Sequence, residues 1–174
     1  DEMGEDTINA AAVRFDAYID LYEGIIAANA TSHGIADWTL VENAISGSGD
    51  DSLVGNSADN YLDAGAGKDV LEGREGDDIL VGGAGQDTAF YSGLIAEYSV
   101  SWDPNSETVT VVDNKTSNGD DGTDKLSGIE RLVFQDGEIS LSEAVGNAPP
   151  VANSSVFDSP VYLQSGMGID YIQN

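Results

Sequence analysis

The chain has 174 residues, 40% of them apolar, with 6 Lys and Arg against 32 Asp and Glu, a formal charge of −26 and no cysteine. That charge excludes nucleic acid and anionic membrane surfaces as partners, and it opposes compaction unless a cation neutralises it. The missing cysteines remove disulfides and thiolate metal sites as staples, and no apolar run reaches the ~18 residues of a membrane span.

Residues 1–45 are expected to be flanking strands. From Tyr18, Ile19 and Leu21 alternate with Asp20 and Tyr22, the pattern of a half-buried strand that ends at Gly24. The run from Val41 to Ile45 is a second strand, feeding the turn that follows. The sole histidine, His33, has no second histidine near it and is expected to lie in a loop beside Gly34, with no metal or catalytic role.

Residues 46–90 are five contiguous blocks of nine, beginning at Ser46, Gly55, Ala64, Gly73 and Gly82. The fourth position holds Gly49, Ala58, Gly67, Gly76 and Gly85; the sixth holds Asp51, Asn60, Asp69, Asp78 and Asp87; the eighth holds Leu53, Leu62, Leu71, Leu80 and Ala89. Glycines in the first half of a block permit positive φ and let backbone carbonyls crowd together in a tight turn. The last three residues form a short strand whose middle side chain points inward.

If one turn and one strand make half a coil, block i stacks on block i+2 at about 4.8 Å. Leu53, Leu71 and Ala89 then form one inner ladder, and Leu62 and Leu80 the facing one. The same stacking pairs Asp51 with Asp69, Asp69 with Asp87, and Asn60 with Asp78, where like charges repel unless a cation lies between them. Oxygen-only ligation by carboxylates and carbonyls selects Ca2+ over zinc or copper, and a roomy turn suits it better than Mg2+. The expected ligand-bearing positions are Gly47, Gly49, Asp51, Asn60, Gly65, Gly67, Asp69, Gly76, Asp78, Gly83, Gly85 and Asp87. Asn56, Ala58 and Asn60 depart from the pattern, so the Asn60/Asp78 site is expected to be the weakest.

The blocks resemble the pattern GGxGxDxUx, with U a large apolar residue, of the RTX or hemolysin-type calcium-binding repeat. That resemblance implies an all-β fold, a parallel β-roll around Ca2+, in a secreted bacterial protein exported through a type I channel. The segments DTI at Asp6, YIDLYEG, and VENAI running into the repeats also resemble the C-terminal domain of serralysin-type metallopeptidases. The zinc-binding HExxH helix of those peptidases has no counterpart here, so the chain by itself is not expected to be the protease.

Downstream, residues 91–144 are expected to form a β-rich cap over the open end of the roll. EYSVSWD and TVTVVD flank a DPNSE turn and form one hairpin, while IERLVF and QDGEISL form a second. Between them Gly122, Asp124 and Leu126 repeat the glycine–aspartate–leucine spacing once, which adds Asp124 to the candidate ligands. Residues 145–174, opening with VGNAPPVANSS, are expected to be a linker or tail.

These features together predict a non-catalytic, calcium-dependent folding module, secreted or held at the bacterial surface, that supports a separate functional domain. One alternative is an adhesin module binding carbohydrate or a surface through the flat faces of the roll. Its outward positions, among them Ser52, Val54, Val70, Glu72, Ile79 and Val81, form no threonine or aromatic ladder. Another is the C-terminal part of a secreted metallopeptidase. The many acids place carboxylates near one another by chance, and no constellation of histidine, arginine or aromatic residues singles out a catalytic pair.

Overall fold

A computed structural model describes residues 5–22, 25–28, 31–34, 41–115, 117, 120–141, 163–165 and 168–169. The linker or tail expected over residues 145–174 lies almost wholly outside the described residues.

The chain opens with β1 (Thr7–Asn9), β2 (Ala17–Asp20), β3 (Ile25–Ala28), β4 (Thr31–Gly34) and β5 (Asn43–Ile45). His33 therefore sits in a strand, its backbone paired with Ile26, and not in a loop. The nonapeptides supply β6 (Ser52–Val54), β7 (Tyr61–Asp63), β9 (Val70–Glu72), β10 (Ile79–Val81) and β12 (Thr88–Phe90). The two-residue strands β8 (Ala66–Gly67) and β11 (Ala84–Gly85) pair with each other across successive turns.

Each nonapeptide strand is three residues long because the turn residues of the next block begin immediately after it. Successive strands cannot pair with one another, since each crosses to the opposite sheet. Pairing is parallel and joins alternate blocks: Leu53 lies beside Leu71, Leu71 beside Ala89, and Leu62 beside Leu80. The two inner ladders expected from the period are thus formed. Leu53, Leu62, Leu71, Leu80 and Ala89 are all fully buried, and each leucine contributes about 1.5–3 kcal/mol by leaving water.

Both ladders run beyond the repeats. Upstream, Ile19 lies beside Leu53 and Ala44 beside Leu62. Downstream come β13 (Tyr98–Asp103), β14 (Thr108–Asp113), β15 (Thr123–Ser127), β16 (Arg131–Phe134) and β17 (Gly137–Ser140). β15 adds in parallel to β10 with Leu126 beside Leu80, and β16 adds in parallel to β12 with Leu132 beside Ala89. One more coil is therefore built after the contiguous blocks end. The hairpin of β13 and β14 is inserted between Phe90 and that coil, and β14 then pairs antiparallel with β15. β17 turns back on β16, completing the second hairpin. Two short strands, β18 (Leu163–Ser165) and β19 (Gly168–Ile169), follow β13 at the end of its sheet.

The result is two long sheets facing each other across one apolar core, with turns stacked in a column at each corner. Among the described residues, no helix is long and apolar enough to cross a membrane. Tyr91, Tyr98 and Phe134 pack together with ring centroids 5.0–5.4 Å apart, tying the start of the insertion to β16.

Candidate metal centre

The turn columns gather the residues singled out by their spacing. One corner stacks Gly47, Gly49 and Asp51 on Gly65, Gly67 and Asp69, and these on Gly83, Gly85 and Asp87. The other stacks Asn60 on Gly76 and Asp78, and these on Gly122 and Asp124.

The glycines are needed for two separate reasons. Gly65 and Gly83 have φ of 97° and 98°, a region that costs other residues strain. At Gly67 the constraint is space: a Cβ would come within 1.7 Å of the Gly49 carbonyl oxygen. Backbone oxygens from one turn thus press directly on the next.

A side-chain ladder runs through the sixth positions. The backbone N–H of Asp51 donates to Oδ1 of Asp69 at 2.8 Å, and that of Asp69 to Oδ1 of Asp87 at 2.9 Å. At the other corner Asn60 donates to Oδ1 of Asp78 at 2.7 Å, and Asp78 to Oδ1 of Asp124 at 2.9 Å. The fifth positions form a reciprocal ladder, with Oδ1 of Asp50, Asp59 and Asp77 accepting from the backbone of Lys68, Asp77 and Thr123. The steps from Asp51 to Asp69, Asn60 to Asp78 and Asp78 to Asp124 are therefore stapled in both directions, whereas at the step from Asp69 to Asp87 the fifth position is Lys68, which has no carboxylate to accept.

These bonds use one oxygen of each sixth-position carboxylate. The second oxygens of Asp69, Asp78 and Asp87 are buried and accept no hydrogen bond from the described residues, and all three residues are 1% exposed. A buried anionic oxygen without a partner is among the most unfavourable arrangements in a protein. Burial, before any other cause, accordingly pushes the carboxyls upward: Asp69 to about 6, Asp78 to about 7 and Asp124 to about 8. Asp87 is raised by the same cause. The backbone donors counteract this only in part, and neighbouring carboxylates add to it, Asp87 and Asp51 acting on Asp69 and Asp59 and Asp77 on Asp78.

A hard cation relieves all of this, because it supplies the missing partner and offsets the repulsion. Among the described residues no three His, Asp or Glu side chains converge on one point. An ion in these turns would therefore draw on the stacked glycine carbonyls as well as on carboxylates, an all-oxygen set that suits Ca2+. Over the second corner, Asp59, Glu75, Asp77, Asp113 and Asp120 line an open groove of about 520 Å³; its negative field concentrates cations there.

Three contributors were not apparent from spacing. Glu130 takes the sixth position of a shortened turn, its Oε2 accepting from the Asp87 backbone at 2.7 Å. Asp121, 6% exposed, accepts from the Tyr98 hydroxyl at 2.5 Å and from Ser92, fastening the insertion beside the Asp124 turn. Asn56 is buried and bonded to Asn60. The Asn60 amide is itself committed, its Oδ1 accepting from the Asn56 backbone at 2.8 Å and its Nδ2 donating to the Glu42 carbonyl at 2.9 Å.

Parallel coils of three-residue strands, glycine turns with crowded carbonyls, and a column of buried carboxylates define the chain as a metal-binding β-roll. Residues 45–79 and 54–89 match the RTX calcium-binding nonapeptide repeat family, in four copies. The chain thus carries an array of RTX repeats, and such repeats bind Ca2+. No curated protein matches the chain.

Proposed function

We propose that this calcium-binding β-roll is a conditional folding module of a secreted bacterial protein, unfolded where calcium is scarce and folded on reaching an extracellular calcium concentration. The observation that carries this reading is the set of buried second oxygens on Asp69, Asp78 and Asp87, which have no partner among the described residues. Without an ion the folded roll must bury those charges unpaired. With one, the binding free energy becomes folding free energy, because the unfolded chain presents no such site.

The proposed ligands are the carboxylates of Asp69, Asp78, Asp87 and Asp124, with backbone carbonyls of the turns around Gly47, Gly49, Gly65, Gly67, Gly76, Gly83 and Gly85. The role of the module is non-catalytic support of a separate functional domain. A polyanion of charge −26 that stays unfolded until export is a suitable cargo for a type I channel, and the RTX repeats favour that route.

The test is calorimetric titration of the chelator-stripped chain with Ca2+ and, separately, Mg2+. The reading predicts several calcium ions bound per chain with coupled folding, and Mg2+ failing to replace them at the same concentration. Absence of calcium binding, or equal response to both ions, would overturn it.

A further inference from the structure

The sixth positions are not equivalent, and the difference follows from what stands at the first position of each block. Ser46 heads the first block, and its hydroxyl donates to Oδ2 of Asp51 at 2.6 Å, while the Ala17 backbone donates to Oδ1 at 2.7 Å. Both oxygens of Asp51 are thus satisfied within the chain. Ala64, Gly73 and Gly82 head the later blocks, offer no side-chain donor, and leave the second oxygens of Asp69, Asp78 and Asp87 bare.

The second block reaches the same end by another route. Its sixth residue is neutral, so no charge needs a counter-ion, and its amide cross-links the turn. Asn60 Oδ1 accepts from the Asn56 backbone, and Asn60 Nδ2 donates to the Glu42 carbonyl and to Asn56 Oδ1, the latter at 3.3 Å. Asn56 Oδ1 also accepts from the Ala58 backbone at 2.9 Å, and Asn56 Nδ2 donates to the Val41 carbonyl at 2.8 Å. The oxygens that would face a cation already face N–H groups, whose positive ends do a cation's work.

We propose that the first full coil of the roll, residues 41–63 with β2 against it, is a calcium-independent template, and that the calcium-requiring coils assemble on it toward the C-terminus. The substitutions at Asn56, Ala58 and Asn60 are in this view a built-in replacement for an ion and not a degenerate ion site. Polar satisfaction at both corners coincides with a closed apolar interior, in which Ile19, Leu53, Ala44 and Leu62 are fully buried. Growth then has a fixed starting end, which prevents coils from pairing out of register as calcium rises.

The inference rests on the calcium reading of the later turns, and hydrogen exchange of the full chain in excess chelator separates the two. Amides of residues 17–21 and 41–63 should stay protected, exchanging at least about tenfold more slowly than those of 66–90 and 123–141. Loss of protection everywhere would overturn the template while leaving calcium-driven folding intact. Retention of protection everywhere would overturn the calcium reading itself. A second measurement uses the triple substitution Asn56→Gly, Ala58→Gly and Asn60→Asp, which restores the repeat pattern. It should add one bound calcium per chain and make protection of 41–63 depend on calcium. An unchanged ion count, with that segment's protection still indifferent to calcium, would show that the amides do not stand in for an ion.

Discussion

Asp78→Asn separates the two demands on a sixth-position carboxylate, because the amide keeps one and abolishes the other. Its oxygen can still accept the Asn60 N–H, which in the parent reaches Oδ1 at 2.7 Å. Its NH2 replaces the oxygen that has no partner. A carboxyl raised from 3.8 to about 7, mainly by burial, makes the ionised, ion-free roll up to about 4 kcal/mol less favourable at pH 8, at about 1.4 kcal/mol per tenfold change. The variant should therefore fold more readily than the parent in chelator, read as a lower osmolyte concentration needed to induce β structure. In calcium it should do the opposite, with the calcium midpoint of folding rising at least about tenfold as a charged ligand is lost. Asp51→Asn is the control, since both Asp51 oxygens are already hydrogen-bonded; its calcium midpoint should move by less than about twofold. Equal midpoints for the two variants, or an Asp78→Asn chain that folds less readily in chelator, would refute the assignment of the bare oxygen to an ion.

Further outcomes follow from the same geometry. Asp69→Ala should raise the calcium midpoint more than Asn60→Ala, because Asp69 faces turns on both sides whereas the Asn60 amide is committed to Asn56 and Glu42; titrations followed by circular dichroism check this. Asp69, Asp78 and Asp124 are raised to about 6, 7 and 8, so their protonated forms favour the ion-free fold, and that contribution is lost as pH rises through this window. Acidifying the chelated chain from pH 8 to pH 5.5 should thus increase its residual β structure, while calorimetry over the same range should show calcium binding weaken as protons compete. Truncation after Phe90 removes the β13–β14 hairpin and the extra coil of β15, β16 and β17, and it should raise the calcium needed for folding and flatten the transition if residues 91–144 close the roll as expected from the sequence.

The repeated part of this fold was legible because its period is strict. The eighth-position leucines meet in the register expected of them, and the hairpins at DPNSE and QDGE were marked by alternation and turn residues. The extra coil was hidden because the β13–β14 insertion breaks the period: Asp78 and Asp124 are neighbours in the stack but 46 residues apart, and Asp87 and Glu130 43 apart, where the steps inside the repeats are 18. The Gly122–Asp124–Leu126 spacing marked the place without revealing the register. Glu130 was missed because a longer side chain closes a shorter turn. The strand character of β4 left no apolar alternation in TSHG to be read. The Ser46–Asp51 bond lies within one block, yet which carboxylates carry a bare oxygen depends on burial and on every donor nearby. Spacing assigns the carboxylates a column; only packing distinguishes Asp51 from Asp69.

The central claim is that the later coils exist only with calcium between them, and far-UV circular dichroism of the full chain tests it directly. In excess chelator at pH 8 most of the β signal should disappear, and calcium added beyond the chelator should restore it cooperatively, whereas the same excess of magnesium should not. A spectrum unchanged by chelation would contradict the account.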